Sequence, residues 1–332
     1  MKNRLIILLV IFHLLMLFSC GRKEIHPVPV RKLPLRASYQ NINDSIYLSN
    51  VTSIECISGQ LFLVDINQHV VFCLDTSLNY IQTIGGKGRA PGELLYPLNV
   101  FETREGIVVL DAGNRRLNTY CREESHYSFC DALTVSFLVS ENRSVILRDS
   151  ILFMAMPEKE SLFRKIDFFS GDTINFGKFY PKIADVERNF RRILLNSENL
   201  FSVGVSEPIV EVFSFSGECT HYFDFSDNPV FRNTLTEHKE IYKKNPAGTT
   251  PVLIVDASIT DSTIYLLITE RMRGHKIQTS KILALDFKDD KLQISEILDL
   301  GQGRYDSFCV VPQTRQIVAF DGLSSELKIF KL

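Results

Sequence analysis

The sequence predicts an all-β fold, a six-bladed β-propeller whose last blade is closed by a strand from the N-terminus, and three observations predict it. Short apolar runs rich in β-branched and aromatic residues recur along the 332 residues, separated by polar turns, which reads as consecutive antiparallel strands. Four such runs form a unit that returns about every 45 residues, the period of a propeller blade; a pair of β-sandwiches would not repeat its turn chemistry at constant spacing. The sixth unit has only three runs, and the segment left over to cover its edge is Arg31–Tyr47.

Taken in order, the first unit is Val51–Ile57, Leu61–Asp65, Val70–Asp75 and Tyr80–Ile84. The second copies it at Leu98–Glu102, Ile107–Asp111, Arg116–Cys121 and Tyr127–Ala132, with Ile107 standing 46 residues after Leu61. The third reads Val145–Arg148, Ile151–Ala155, Leu162–Phe168 and Thr173–Phe176, and the fourth Arg192–Leu195, Leu200–Gly204, Ile209–Phe213 and Cys219–Phe225. Ser226–Thr250 then breaks the rhythm. Thr234-Leu235-Thr236-Glu237 matches a capping box, Leu235, His238, Ile241 and Tyr242 share one helical face, and Asn245-Pro246 stops the run, so one short helix is expected there. The fifth unit resumes at Val252–Ala257, Thr263–Thr269, Lys281–Phe287 and Leu292–Leu300; the sixth has Phe308–Val311, Gln316–Phe320 and Glu326–Phe330.

The N-terminus carries an address. Lys2 and Arg4 precede an apolar run from Leu5 to Phe18, the pattern of a secretory signal and short for a membrane span. The expected division is a signal peptide over 1–19, a Pro-rich tether over 20–36 and the propeller over 37–332. Without Lys2 and Arg4 the 37 basic residues fall to 35 against 39 acidic ones, a net charge of −4. Nucleic acid is therefore a poor partner, because phosphate neutralisation needs clustered positive charge. Cys56, Cys73, Cys121, Cys130, Cys219 and Cys309 show no CxxC spacing, and most sit in apolar runs, so they read as small buried hydrophobes, with disulfides permitted outside the cytoplasm.

Three stretches carry a family resemblance. The end of the signal, Leu17-Phe18-Ser19-Cys20-Gly21, resembles the lipobox of bacterial lipoproteins, which implies lipidation of Cys20 and anchoring in the cell envelope, at the outer membrane. Asp111-Ala112-Gly113-Asn114-Arg115-Arg116-Leu117 and Ile84-Gly85-Gly86-Lys87-Gly88-Arg89-Ala90-Pro91-Gly92-Glu93 are similar to the turn and inter-blade loop of NHL-type propellers, in particular the six-bladed propeller lipoproteins exported by Gram-negative bacteria. The likeness covers nearly all of the mature chain as spacing, but only the first two blades as motif. It implies a fold and an address rather than a reaction.

No motif of the chain specifies catalysis. The run Gly86-Lys87-Gly88 leads to Pro97 and a strand, whereas a phosphate-cradling loop must open a helix. Gly322-Leu323-Ser324-Ser325-Glu326 lacks the second glycine of a nucleophile elbow. The histidines lie in different units without metal-ligand spacing, and Asp65, Asp111 and Asp321, each ending a second strand, read as turn-bonding residues. No catalytic residue, cofactor or metal is therefore assigned. The expected role is a non-enzymatic binding or scaffold module for a protein or small ligand. The alternative is a propeller enzyme, a lactonase-like hydrolase or a lyase, with a metal site in the channel.

Topology separates the two faces of the disc. First-to-second and third-to-fourth turns fall on one face, where they are short; second-to-third turns and the links between blades fall on the other, where Gly85–Tyr96, Gly177–Asn189, Ser226–Thr250 and Gly301–Asp306 are long. Binding usually resides in long loops on a rigid scaffold. Arg89 and Arg304 follow Gly-x-Gly, and Tyr96-Pro97 is echoed by Tyr180-Pro181. Arg89, Tyr96, Tyr180 and Arg304 are thus the candidate ligand or partner residues, with blade bracing as the competing role for the arginines.

Overall fold

A computed structural model of the chain describes residues 27–44, 46–137, 143–157, 161–178, 186–244, 251–272 and 276–332. Cys20 and Tyr180 lie outside the described residues. Six sheets carry the blades, with strands in the order predicted: Val51–Ile57 to Tyr80–Gly85 in blade one, Pro97–Glu102 to His126–Thr134 in blade two, Val145–Arg148 to Thr173–Phe176 in blade three, Arg191–Leu195 to Cys219–Asp224 in blade four and Ile254–Thr260 to Lys291–Asp299 in blade five. Blade six has Tyr305–Val311, Gln316–Asp321 and Glu326–Lys331, and its fourth strand comes from the other end of the chain.

That strand, β2 (Leu35–Tyr39), pairs antiparallel with Glu326–Lys331, from Leu35 opposite Phe330 to Tyr39 opposite Leu327. The closure expected from Arg31–Tyr47 is therefore present. The same segment does more than expected. Ahead of β2, β1 (Val30–Lys32) adds a fifth, parallel strand to blade five, with Val30 opposite Ile297, and Arg31 grips Glu296 through two hydrogen bonds of 2.8 Å. Leu33, between the two strands, is buried in the wedge between blades five and six. Of the last residues of the expected tether, 30–32 and 35–36 thus belong to the sheets.

The period-two alternation of each second strand explains the core. In blade one Phe62 and Val64 face blade two, while Leu61 and Leu63 face blade six. A strand apolar on both sides is what a central, fully covered strand requires. Six apolar clusters result among the described residues, one in each wedge between neighbouring blades.

The insertion after blade four forms α1 (Pro229–Lys244). It starts five residues before the capping box: Asn228 caps it by accepting the Val230 N–H at 3.0 Å, and Pro229 takes the first helical position, where its missing N–H costs nothing. Phe231, Thr234 and His238 are buried, and Phe231 joins the cluster between blades four and five. The cysteines also differ from expectation. Cys121 and Cys130 form a disulfide across the third and fourth strands of blade two, while Cys73 and Cys309 are buried free thiols, Cys56 is half-buried and Cys219 is exposed. No described helix is long and apolar enough to cross a membrane.

Candidate functional site

On the face of the inter-blade links, each regular link is held by the aspartate that ends a second strand. Asp111 accepts the Leu95 N–H at 2.7 Å, and its other oxygen takes Arg116 at 2.9 Å, Asn114 at 2.8 Å and Asn118 at 3.3 Å. Arg116 then donates to the carbonyls of Arg89, Ala90 and Glu93, so it braces the whole Gly85–Tyr96 link. Gly85 has a left-handed φ of 84°, and a Cβ there would meet the Leu94 side chain at 2.4 Å, so the turn admits only glycine. Asp65 does the same work in blade one, accepting the N–H groups of Ser49, Asn50 and Gln68. In blade six Asp321 accepts those of Arg304 and Leu323 and pairs with Lys328 at 2.7 Å. These three aspartates are structural, as their positions in the sequence implied.

The candidate binding residues that are described, Arg89, Tyr96 and Arg304, do not converge. Arg89 is exposed and leaves the bracing to Arg116. Tyr96 is 53% exposed, has a φ of 52° and stands edge-on to His69 at 4.8 Å between ring centres. Arg304, on the link from blade five to six, reaches Asp306 at 3.5 Å and bridges through its backbone to Thr279. The first two lie on the blade one-to-two link, and Arg304 stands alone beside a feature that the sequence did not reveal.

That feature is a cleft of about 1040 Å³ over blade five. Its walls are α1, the ends of the long hairpin strands Thr263–Met272 and Lys276–Lys288, the link from Asp299 to Gln302, and Lys32 at the end of β1. Most of the residues that line it are polar, with charges of both signs among them. Lys281 pairs with Glu270 at 2.8 Å, whereas Glu237 Oε2 and Arg271 Nε are buried without a hydrogen-bond partner among the described residues. Beneath the cleft His238 is held neutral, its pKa pushed down to about 4 by burial and then by Arg271 and Arg188. Arg188 itself is tied to Glu207 and lies over the Tyr242 ring at 4.7 Å. The cleft exists because α1 and the hairpin overshoot the blade; in sequence, only their excess length marked it.

The central channel holds a second polar group. Arg143, in the link before blade three, crosses the axis to Asp256 of blade five, to Glu55 of blade one at 2.7 Å and to the Ile54 carbonyl at 3.1 Å. Asp256 also accepts the Phe308 N–H of blade six at 2.9 Å. Burial raises the Glu55 carboxyl, and Arg143 only partly offsets it. The channel metal of the enzymatic alternative does not fit this donor set. A guanidinium lies against both carboxylates, and a dication would have to displace it. Among the described residues no cluster of three or more His, Cys, Asp or Glu can hold a metal.

Comparison with known proteins agrees with this architecture. No curated protein matches the sequence. A Bacteroides fragilis NCTC 9343 protein assigned as exported has a similar structure, at 16% identity and a TM-score of 0.61, covering 90% of this chain and 94% of its own. A member of the duf4221 family from Bacteroides vulgatus atcc 8482 is similar at 12% identity and a TM-score of 0.60, over 90% of this chain and 97% of its own. At such identities the likeness speaks for the fold alone. The family DUF5128, described as "6-bladed beta-propeller", matches residues 41–311, more than half of the sequence, and the chain belongs to it.

Proposed function

We propose that the protein is an exported binding module, lipid-anchored through Cys20 in the cell envelope, that docks a protein or small ligand on the link face without catalysing a reaction. The observation that carries this reading is the cleft over blade five. It lies on the face where the long links gather, it is large enough for a ligand or a protruding loop, and its polar groups of both signs include two that are buried without hydrogen-bond partners among the described residues. Arg304 stands at its border and Arg89 and Tyr96 extend the same face. The cysteine at the end of the signal, the disulfide in blade two and the likeness to a protein assigned as exported support the address.

Pull-down from envelope extract tests the site. A variant with Asn233→Ala, Gln278→Ala, Gln302→Ala and Arg304→Ala, first checked for an unchanged melting curve, should lose a species that the wild-type protein recovers. Recovery of the same species in the same amount puts the docking site elsewhere. Labelling with a fatty-acid analogue tests the anchor: equal incorporation into wild type and Cys20→Ala removes it.

A further inference from the structure

Beside the cleft over blade five lies a second opening, a recess of about 500 Å³ at the seam between blades five and six. The two run into one another at Lys32, Gly301 and Gln302, which line both. The floor of the recess is Leu33, Leu300, Tyr305 and Phe330, packed into the wedge between the blades; its exposed walls are Pro34 and Leu35, the latter 54% exposed. The surface it offers is mostly apolar, and Lys328 at its border is already paired with Asp321.

The cleft itself is electrically balanced. In its lining Lys32, Arg271 and Lys281 stand against Glu237, Glu270 and Asp299, and the carboxamides of Asn233 and Gln302 supply donors and acceptors together. Two buried atoms lack a hydrogen-bond partner among the described residues: Glu237 Oε2 needs a donor and Arg271 Nε–H needs an acceptor. A peptide unit brings one of each, an N–H and a C=O. A ligand with net charge would leave part of the balanced lining uncompensated, whereas a peptide main chain adds no charge. No aromatic ring lines the cleft, so a sugar finds no face to stack on there. The apolar recess alongside calls instead for a side chain. Main-chain hydrogen bonds with a pocket for one side chain are how proteins commonly hold extended peptides.

From the balanced cleft, its unmatched donor and acceptor, and the apolar recess continuous with it, we infer that the docking surface takes an extended, uncharged peptide segment of a partner protein. Its main chain lies in the cleft beside Glu237 and Arg271, and one large apolar side chain fills the recess beside Leu35. This deepens the docking reading above and rests on it.

Panning a phage library of random linear peptides on the whole mature protein tests the inference. Enriched clones should share one large apolar residue among uncharged neighbours. The enriched peptide, synthesised and titrated by fluorescence anisotropy, should bind about tenfold more weakly when that residue is replaced by alanine, and likewise to Leu35→Asp. An unchanged melting curve checks that Leu35→Asp, at an exposed position, keeps the closing strand. Gln302→Ala, on a link and in no strand, is the second variant and should cost several-fold. No enriched clone, a peptide indifferent to its apolar residue, or binding unaltered in both variants overturns the inference. Binding to a neutral oligosaccharide array that the peptide does not compete with gives the cleft to a sugar and overturns it too. The docking reading is judged separately: it stands, without the peptide, if the quadruple variant still loses its species in the pull-down.

Discussion

Blades six, one and two differ from blades three, four and five in one side chain. Where the second strand ends in Asp65, Asp111 or Asp321, the incoming link is pinned by its backbone N–H groups and stays close to the disc. The second strands of blades three and four end in Ala155 and Gly204, and that of blade five runs on to Met272. None of the three offers such an acceptor. There the links into blades four and five lengthen, α1 appears and the hairpin rises above the blade. A pinned link costs variability and gives rigidity; an unpinned one leaves room for a binding surface, and the cleft lies in the unpinned half.

The largest expected effect comes from undoing the closure of the pinned half. Removing residues 27–39 takes away β1 and β2 and empties the place of Leu33, which on its own is worth about 2–5 kcal/mol. The melting temperature should fall by about 10 °C or more. An unchanged melting curve would mean that the ring holds without its N-terminal strand.

Asp111→Ala comes next. It leaves the Leu95 N–H without its acceptor and the Arg116 guanidinium without its carboxylate in a buried setting, for an expected loss of about 3–5 kcal/mol by denaturant unfolding. If the loss stays below about 1 kcal/mol, the aspartate is not what pins the link and the comparison between the halves fails.

In the unpinned half, acid should act through His238. Its pKa of about 4 in the folded chain lies below the ordinary value near 6.5, so the folded state binds fewer protons there. Stability is therefore full above about pH 6.5 and falls as the pH drops toward 4, by up to about 3 kcal/mol. His238→Leu should flatten that part of the stability profile. Hydrogen exchange of α1 is the sharper readout, and a slope that survives the substitution would remove His238 as its source. The smallest effect is expected for Gln278→Ala with Gln302→Ala, within about 0.5 kcal/mol, because both side chains serve the cleft and not the core. A larger loss would mean that the cleft is a structural joint.

What could be read from the sequence follows the same division. Blade spacing, the closing strand and the role of the aspartates are local patterns and were legible. The three residues of β1 were not, because Val30-Arg31-Lys32 carries no alternation and owes its place to Ile297 and Glu296, far along the chain. The helix start was misplaced because two capping signals compete, and Asn228-Pro229 prevails with Phe231 buried behind it. The disulfide was hidden by a bulge: the pairing shifts between Thr119 and Tyr120, so residue spacing alone does not show Cys130 beside Cys121. Arg143 gave no signal at all, since blades one, five and six reach it only once the ring is closed. Of the three candidate binding residues that are described, Arg304 alone lies beside the cleft. Repeated chemistry singles out Arg89 and Arg304 alike, whereas the cleft arises from length.

The seam made by β1 and β2 also has a mechanical side. A pull on the residues that precede Val30 reaches the parallel strand first, where the Arg31–Glu296 grip and the pairing to Ile297–Asp299 take the load. Only after β1 has been stripped does tension reach β2 and the strand that closes the ring. The disc is thus strain-relieved like a cable at its socket: a short, sacrificial clamp on blade five yields before the closure on blade six is touched.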